Sequence, residues 1–373
     1  MKYVKLLYLV TLFSACRGGQ TSSVQAEGDT VTFRYATLLS VVRHEGYVVA
    51  SLKNPWKEGM TLHQYVLIPS DREVPPHIPT GTIIRTPLHR SMVFTTVHCA
   101  MLMSFGKQDC IAGVADLKYI KIPWIQEQAR RGAIADVGDG LSPIVEKIID
   151  ERPDAIFLSP FENSGGYGKL EEIDIPLIEC AEYMESSPLG RAEWLRFYGM
   201  LFGCEEKADS LFQVIDQNYN HLKQLAQKTE KKPTVLVDKV TGSVWYVPGG
   251  QSTIGQMIQD AGGNYPWAKD ERSGSVSLPF EAVLEKASEA DVWLFRYSSD
   301  HDITYPELSG EHHGYDQFHA FRQRNVYGCD VERSQFYEES PFRPDWLLND
   351  FIRILHPEIP DLDSLRYYQK LSD

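Results

Sequence analysis

The chain has 373 residues, of which 43% are hydrophobic, and its formal net charge at pH 7 is −14. A chain of this length and composition can bury large cores and favours two domains over one. The acidic balance argues against nucleic acid as a partner, because phosphate binding needs a basic surface.

The first sixteen residues predict export and a lipid anchor. Two lysines precede the apolar run Leu6–Phe13, and the small-residue site Ser14-Ala15 follows it directly before Cys16. A basic end, an apolar core too short to span a membrane and a small-residue site are the order of a signal peptide. The site resembles a bacterial lipobox, which implies cleavage before Cys16 and acylation of that cysteine. The alternative is an ordinary signal peptide followed by a chance cysteine.

The remaining cysteines are widely separated and odd in number, so they predict neither a disulfide framework nor a metal knuckle. They are Cys99, Cys110, Cys180, Cys204 and Cys329. We interpret most of them as small buried apolar residues. The stretch from Arg17 to Asp29 is rich in Gly, Ser, Thr and Gln, which is typical of a flexible tether.

Strand and helix patterns alternate along the first half of the mature chain. Apolar and β-branched runs predict a small β extension with strands at Val31–Leu39, Tyr47–Leu52 and Gln64–Pro69. The elements predicted after it are a β-rich run at Arg90–Thr96, a helix at Ala100–Gly106, strands at Ile111–Val114, Ala155–Leu158 and Pro176–Glu179, and a helix at Pro143–Glu151. Strands and helices in turn, with short connections, predict a parallel α/β layer.

The second half begins with a long helical pattern. Lys207–Lys228 has helix-forming composition without Gly or Pro, so it predicts a helix of about six turns that can bridge two lobes. A second α/β series follows, with strands at Thr234–Asp238, Trp245–Val247, Val292–Tyr297 and Asn325–Tyr327 and helices at Thr253–Ala261, Glu281–Ala287, Asp316–Arg322 and Pro344–Leu355. Two lobes joined by one helix form a cleft, and clefts bind ligands.

Eight weak motifs occur in one order: "TTVHCAML", "GVADLKYI", "DVGDGLSPIVEKIIDERPDAIFL", "IDIPLIE", "SPLGRAEWLRFYGMLFGCEEKAD", "VWYVPGGQSTIGQMIQDAGGNYPW", "VSLPFEAVLEKASEADVWL" and "FYEESPFRPDWLLNDFIRILHPE". Together they resemble the substrate-binding proteins of ABC importers for cobalamin, iron-siderophores and haem, over roughly residues 85 to 360. The resemblance implies an α/β fold of two Rossmann-like lobes joined by a rigid helix, with the ligand in the cleft between them and little closure on binding.

The expected organisation follows from these elements. It consists of a lipoprotein signal peptide at 1–15, a tether at 16–29, an N-terminal lobe with its β extension at 30–204, a connecting helix at 205–232 and a C-terminal lobe at 233–373. The segment "ESSPLGRAEWLRFYG" starts a helix, with Ser187 as its cap and Pro188 in its first turn. The resemblance puts this segment near the junction of the lobes.

Two carboxylates stand out because the family docks onto its permease through one acidic residue on each lobe. The matching positions are Glu146 in "PIVEKI" and Glu281 in "LPFEAV". The resemblance implies that they enter cationic pockets of an ABC permease, and a pair set far apart fixes an orientation that one charge cannot. The alternative is that each carboxylate only complements the dipole of the helix it starts.

The family's ligand lies against loops at the ends of strands, and the resemblance implies the following contacts: His98, Asp116, Tyr119, Phe161, Glu162, Asn163, Trp245, Pro248, Gly249, Gln251, Arg296, Tyr297, Phe336, Tyr337 and Arg343. Aromatic faces can cover a flat macrocycle, and arginine can pair with its carboxylates. His98 could ligate a chelated metal, but a lone histidine is more often a hydrogen-bonded structural residue. Packing remains the alternative for every member of this set.

Catalysis is the minority interpretation. The histidines of "SGEHHGYDQFHAF" lack a metal-site spacing, and no nucleophile elbow or phosphate-binding loop occurs. The expected protein is a non-enzymatic monomer without a cofactor or bound metal of its own, anchored by lipid to the inner membrane in the periplasm. Its expected partners are a permease with its ATPase and a metal chelate. The alternatives are a metal-dependent enzyme or chelatase on the same fold and a haemophore that needs no permease.

Overall fold

The structure is a computed structural model that describes residues 28–162 and 166–373. Cys16, the signal peptide and Asn163 lie outside these ranges, so the predictions for them stay predictions. Within the described ranges, no helix is both long and apolar enough to cross a membrane.

A five-stranded sheet forms the β extension. Its strands are β1 (Asp29–Val31), β2 (Leu39–His44), β3 (Tyr47–Lys53), β4 (Thr61–Pro69) and β5 (Thr82–Thr86), in that spatial order. The pairs from β1 to β4 are antiparallel, and β4 pairs with β5 in parallel. The predicted extension is therefore confirmed, and β5 is a strand that the sequence patterns did not predict.

The strand predicted at Val31–Leu39 is wrong, because two buried carboxylates capture the backbone of this segment. Glu193 accepts hydrogen bonds from the N–H groups of residues 34, 35 and 36 at 2.7–2.9 Å. Glu185 accepts those of residues 37 and 38 at 2.9–3.0 Å. Backbone groups that bond side chains are unavailable to a sheet ladder. The helix-start segment thus fastens the extension to the N-terminal lobe.

The N-terminal lobe is built on a parallel sheet in the order β12-β11-β6-β7-β8. The strands of this sheet are β6 (Ser91–Val93), β7 (Ile111–Val114), β8 (Ala135–Asp136), β11 (Ala155–Leu158) and β12 (Leu177–Glu179). Between β8 and β11, the strands β9 (Gly138–Asp139) and β10 (Ser142–Pro143) form a separate antiparallel hairpin. Its helices are α1 (Thr96–Phe105), α2 (Pro123–Arg130), α3 (Val145–Glu151), α4 (Pro188–Glu193) and α5 (Leu195–Leu201).

The long helix α6 (Glu205–Gln227) joins the two lobes, as predicted. Its 23 residues extend for roughly 35 Å at the rise of an α-helix. It packs against α5 of the N-terminal lobe and against the final helix of the C-terminal lobe, burying Phe212, Ile215 and Tyr219.

The C-terminal lobe has a second sheet in the order β13-β17-β18-β19, in which only β19 is antiparallel, and a three-stranded antiparallel sheet β14-β15-β16. Its strands are β13 (Val235–Val237), β14 (Val240–Thr241), β15 (Val244–Pro248), β16 (Ser275–Leu278), β17 (Val292–Tyr297), β18 (Val326–Asp330) and β19 (Gln369–Lys370). Its helices are α7 (Thr253–Asp260), α8 (Phe280–Ala287), α9 (Tyr305–Glu311), α10 (His319–Arg322), α11 (Phe336–Glu339) and α12 (Pro344–Leu355).

Candidate functional site

The carboxyl ends of the N-terminal strands border a concavity. The chain runs from β6 through β7 to β8 on one side of the sheet and then places β11 and β12 on the other, so the strand order reverses at β6. Ligands of open parallel sheets bind at such a reversal, outside the carboxyl ends of the strands. The concavity found there measures about 760 Å³ and is lined by residues that follow β6, β7 and β11.

Asp116 and Phe161, two of the predicted contacts, line this concavity. Asp116 has a left-handed backbone with φ of 53°, and its Oδ2 accepts the backbone N–H of Gly140 at 3.1 Å. That bond orients the carboxylate toward the loop between β9 and β10. Phe161 is 48% exposed, and Leu141, which also lines the concavity, is 83% exposed. Large exposed apolar side chains in a concave site suit the flat face of a macrocycle.

Tyr119 and Glu162 are exposed but do not line the concavity. The Tyr119 ring is covered by the ammonium group of Lys118, which lies 4.7 Å from the ring centroid. Tyr119 ends a short 3-10 helix that follows Asp116, and Glu162 directly follows Phe161. They are therefore rim positions, and contact with a ligand at these residues stays a prediction.

The predicted contact of Trp245 with the ligand is wrong, because Trp245 is a core residue of the C-terminal lobe. Its side chain is 0% exposed and packs against Trp293 and Phe318, with ring centroids 5.7 and 5.4 Å away. Its indole N–H donates to the carbonyl oxygen of Val237 at 2.9 Å, so the polar edge is satisfied inside the lobe. The next residue, Tyr246, points to the other side of the strand and is exposed.

The end of β15 and most of the loop that follows it are also closed to direct contact with a ligand. Pro248 and Gly249 are buried, and the N–H of Gly249 already donates to Gly274 at 2.9 Å. A side chain at position 249 would lie 2.1 Å from the carbonyl oxygen of Arg272, so the close backbone approach requires glycine. The predicted contacts at 248 and 249 are therefore wrong as side-chain contacts. Gln251 is exposed.

Arg296 is neutralised within its own lobe. Its guanidinium forms two hydrogen bonds with the carboxylate of Asp238, at 3.0 and 2.6 Å. Burial opposes the charge of Arg296, but the attraction of Asp238 is stronger and raises the pKa of the guanidinium. The arginine predicted to pair with a ligand is thus already paired. The neighbouring Tyr297 is buried, which is a correction to its predicted contact.

The segment after β18 splits into buried and exposed positions. Phe336 is buried against Tyr367, whereas Tyr337 is 46% exposed. Arg343 forms two hydrogen bonds with the buried Asp345, at 2.9 and 2.6 Å, and its guanidinium lies 3.5 Å from the centroid of Trp346. Direct contact at Phe336 is therefore a wrong prediction. Tyr337 remains available to a ligand, and Arg343 faces a second cavity between the lobes.

His98 is a hydrogen-bonded structural residue, and its predicted contact with the ligand is wrong. Its side chain is 1% exposed, Nδ1 is hydrogen-bonded to Thr95 Oγ1, and Nε2 lies 3.1 Å from the hydroxyl of Tyr198. Potential metal-binding atoms of His98, Cys180 and Glu182 lie within 4.8 Å of one another, all in the core. Because the histidine nitrogens already have partners in the lobe, His98 faces a buried hydrogen-bond network and away from the concavity.

Glu146 and Glu281 occupy equivalent places in the two lobes. Each is exposed and lies in the first turn of its helix, α3 for Glu146 and α8 for Glu281. Within residues 28–162 and 166–373, neither carboxylate forms an ion pair. Both charges are therefore free to meet a partner protein, as well as the dipole of the helix.

An ion pair that sequence reasoning missed connects the two lobes. Lys121 Nζ, in the loop after β7, lies 2.6 Å from Glu332 Oε2, which follows β18. Glu332 also accepts a hydrogen bond from Ser298 at 3.0 Å. The hydrogen bond from Lys121 lowers the pKa of Glu332. The only signal in the sequence is that both residues follow strands of parallel sheets, which places them at the same side of each lobe.

Comparisons with known proteins agree with this architecture. A family described as periplasmic binding protein matches residues 103–332, which is more than half of the chain. A lipoprotein of Methanocaldococcus jannaschii is 28% identical over 286 residues, covering 74% of this chain and 67% of that protein. Another lipoprotein of the same organism is 24% identical over 365 residues, covering 94% of this chain and 90% of its own length.

Solved structures share the fold at low identity. A periplasmic haem-binding protein from Pseudomonas aeruginosa gives a TM-score of 0.61 at 15% identity, covering 77% of this chain and 99% of that one. A protein of an Fe3+-hydroxamate transport system from Saccharomonospora viridis gives a TM-score of 0.56 at 19% sequence identity, and the match covers 72% of this chain and 94% of that one. The vitamin B12 binding protein of Vibrio cholerae gives a TM-score of 0.54 at 13% sequence identity, and the match covers 74% of this chain and 99% of that one. The chain belongs to the periplasmic binding protein family and has its two-lobed α/β fold.

Proposed function

We propose that this protein is the lipid-anchored substrate-binding component of an ABC importer that captures a metal chelate and delivers it to a membrane permease. The chelate classes are iron-siderophore, haem and cobalamin. The observation that carries the proposal is the concavity of about 760 Å³ at the strand reversal, with Phe161 and Leu141 exposed inside it. A single ion needs no such volume, and an apolar concavity favours a large ligand with a flat or rounded surface.

The relatives support the ligand class and the anchor. Neighbouring structures are described as binding haem, vitamin B12 or belonging to an Fe3+-hydroxamate transport system. The similar proteins of Methanocaldococcus jannaschii are described as lipoproteins, which fits acylation of Cys16. The anchor places the mature protein, as a monomer, on the periplasmic side of the inner membrane. A permease and its ATPase are its partners there.

Delivery rests on Glu146 and Glu281. Glu146 is exposed on the N-terminal lobe and Glu281 on the C-terminal lobe, so the two charges contact the permease together only when the protein is oriented with both lobes toward it. The long helix α6 and the ion pair between Lys121 and Glu332 both connect the two lobes.

The experiment that tests the proposal is a titration of the purified full chain with haemin, cyanocobalamin and a ferric hydroxamate, followed by absorption spectroscopy and calorimetry. Binding of one chelate with a stoichiometry of about one supports the proposal. The absorption spectrum and mass of any co-purified molecule identify the ligand directly. Failure of all three chelate classes to bind would overturn the ligand assignment and leave only the family membership.

A further inference from the structure

Side chains of the β extension reach the end of β12, which is an edge strand of the N-terminal sheet. His63 on β4 has its Nδ1 2.9 Å from Glu179 Oε2 and its Nε2 2.8 Å from Thr82 Oγ1 on β5. The Tyr65 hydroxyl, also on β4, accepts the backbone N–H of Glu179 at 2.8 Å and donates to the carbonyl oxygen of Leu177 at 3.1 Å. The extension therefore holds Glu179 by both its side chain and its backbone.

The second oxygen of the Glu179 carboxyl group connects this contact to the ligand concavity. Oε1 accepts a hydrogen bond from the Tyr167 hydroxyl at 2.6 Å. Tyr167 belongs to residues 166–170, the wall segment, which line the concavity proposed for the chelate. Burial and the hydrogen bond to Glu179 raise the pKa of Tyr167, so the phenol keeps its proton and stays a donor. A series of hydrogen bonds thus runs from the β extension to the wall of the concavity.

The burial of Glu179 makes this series sensitive to each of its members. Glu179 is 6% exposed, so water has little access to its carboxyl group. Buried polar groups need partners from the protein, and here each oxygen has one. His63 and Tyr167 therefore fix the orientation of one carboxyl group together. Without the His63 bond, the carboxyl group is free to rotate, and Tyr167 loses an acceptor of fixed position.

A second hydrogen bond of the wall segment is local. The backbone N–H of Tyr167 donates to Glu171 Oε1 at 2.6 Å. Gly166 has a φ of 97°, and a side chain there would lie 2.6 Å from the same oxygen, so this close approach requires glycine. These features shape the turn itself. The bond from Tyr167 to Glu179 fastens the turn to β12 and, through His63, to the β extension.

We propose that the β extension positions one wall of the ligand concavity, with His63 as the positioning residue that acts on Tyr167 through Glu179. Contact between this wall and the chelate rests on the proposed function, whereas the order of the wall segment does not. Hydrogen exchange without ligand and chelate affinity therefore test the two parts separately.

Hydrogen exchange of the unliganded full chain, followed by mass spectrometry, reports the order of the wall segment. His63→Ala should speed exchange of the amides of residues 166–170 by about fivefold or more, because the turn loses its fixed attachment and opens more often. Exchange at the wild-type rate in this variant would overturn the proposal.

His44→Ala is the matched control on β2. His44 stacks on Tyr47 with ring centroids 4.7 Å apart, much as His63 stacks on Tyr65 at 4.4 Å. The Nδ1 atom of His44, however, has no hydrogen-bond partner among the described residues. His44→Ala should leave exchange of the wall segment unchanged. Equal acceleration in the two alanine variants would refute a specific role of His63.

His63→Asn separates the hydrogen bond from a general loss of packing. The asparagine amide nitrogen takes about the place of Nδ1 and donates to Glu179, but the stacking on Tyr65 is lost. Exchange of the wall segment should return toward the wild-type rate in His63→Asn and stay fast in His63→Leu. If the two variants exchange alike, the hydrogen bond does not order the wall segment and the proposal fails.

Chelate titration tests the contact with the ligand. His63→Ala and Tyr167→Phe should each weaken binding of the chelate that binds the wild type by about three- to tenfold, since each removes one hydrogen bond of the series. The double variant should lose no more than about twofold beyond Tyr167→Phe alone, because His63 acts through that hydroxyl. Additive losses, or unchanged affinity in both single variants, would overturn the proposal.

Failure of the proposed function gives a different result. If haemin, cyanocobalamin and the ferric hydroxamate all fail to bind the wild type, hydrogen exchange of the wall segment decides alone whether the β extension positions it. Faster exchange in His63→Ala with recovery in His63→Asn then supports positioning by the extension. Exchange that matches the wild type in both variants overturns it.

Discussion

Phe342 of the C-terminal lobe lies edge-on to Tyr198 of the N-terminal lobe, with ring centroids 6.0 Å apart and an interplanar angle of 81°. The same ring is edge-on to His98, 5.9 Å away. The C-terminal lobe thus inserts one aromatic side chain into the buried polar network of the other lobe. The two lobes are therefore in direct aromatic contact at this point, in addition to their shared packing on α6.

Phe342→Ala should lower the free energy of unfolding by about 3–5 kcal/mol, because it removes a buried ring and leaves a cavity at the lobe interface. Urea denaturation measures this change. Tyr337→Ala, at an exposed position five residues away, is the control and should cost about 0.5 kcal/mol or less. Similar costs for the two substitutions would show that Phe342 is not a structural contact between the lobes.

Glu182 should make the stability depend on pH in the acid range. Burial of this carboxylate opposes its ionisation, but attraction to His98 and Arg191 and the hydrogen bond from the Tyr198 hydroxyl outweigh it and lower the pKa of Glu182 to about 2. Because the folded-state pKa lies below the ordinary value of 4.5, the stabilisation is present above pH 4.5 and is lost as the pH falls toward 2.

Glu182→Gln should therefore destabilise the protein by about 1.5–3 kcal/mol at pH 7, since it removes the buried charge that accepts the Tyr198 hydrogen bond. The difference in free energy of unfolding between the wild type and Glu182→Gln should shrink as the pH falls from 4.5 toward 2. Urea denaturation at a series of pH values measures both curves. Glu172→Gln changes an exposed carboxylate and is the control: its free energy of unfolding should follow that of the wild type at every pH. If the stability difference between the wild type and Glu182→Gln stays constant down to pH 3, Glu182 is not the source of the acid dependence.

The long helix and the alternation of strands and helices could be predicted because their signals are local. The stretch that forms α6 has no Gly or Pro and buries Phe212, Ile215 and Tyr219 at helical spacing. The wrong strand at Val31–Leu39 shows the limit of such signals. Its alternation is typical of a strand, but Glu185 and Glu193, far along the chain, take its N–H groups.

The ligand contacts were harder to predict because burial depends on which face of a strand is covered. Trp245 and Tyr246 are both aromatic neighbours in β15, and the pleat sends one into the core and the other to solvent. The sequence alone does not indicate which of the two side chains is buried. Arg296 shows a second limit, since its partner Asp238 lies 58 residues away and pairs with it only after β13 and β17 become neighbours.

Phe161→Ala should weaken binding of the proposed chelate by about 1–3 kcal/mol, because it removes an exposed aromatic face from the concavity. Calorimetry with the chelate that binds the wild type measures the loss. Trp245→Ala is the contrasting variant: it should lower the free energy of unfolding by about 3–5 kcal/mol while the folded protein keeps its chelate affinity. Unchanged affinity in Phe161→Ala would move the ligand away from this wall.

Cys16→Ala should release the protein from the membrane fraction of cells that express the full chain, because acylation of Cys16 is the proposed anchor. Fractionation followed by immunoblotting measures the distribution. Cys110→Ala is the matched control, since this thiol lies within the folded N-terminal lobe and should leave the protein attached. Complete retention of the Cys16→Ala variant in the membrane fraction would rule out this cysteine as the anchor.

Glu146→Gln and Glu281→Gln should reduce transport while leaving chelate binding intact. Each substitution keeps the size of the side chain but removes an exposed charge in the first turn of α3 or α8. Uptake and ligand-stimulated ATP hydrolysis in the reconstituted transporter should fall in each single variant and further in the double variant. Docking of the wild type should weaken as salt rises, because exposed charge pairs are screened.

Glu285→Gln is the matched control for this experiment, since Glu285 is an exposed carboxylate on the same helix as Glu281. It should leave uptake unchanged. If Glu146 and Glu281 only complement helix dipoles, each substitution costs about 0.3–1 kcal/mol of stability and transport is unaffected. A double variant that melts slightly lower and transports at the wild-type rate would therefore refute docking through these two carboxylates, while the chelate titration would remain an independent measure of ligand capture.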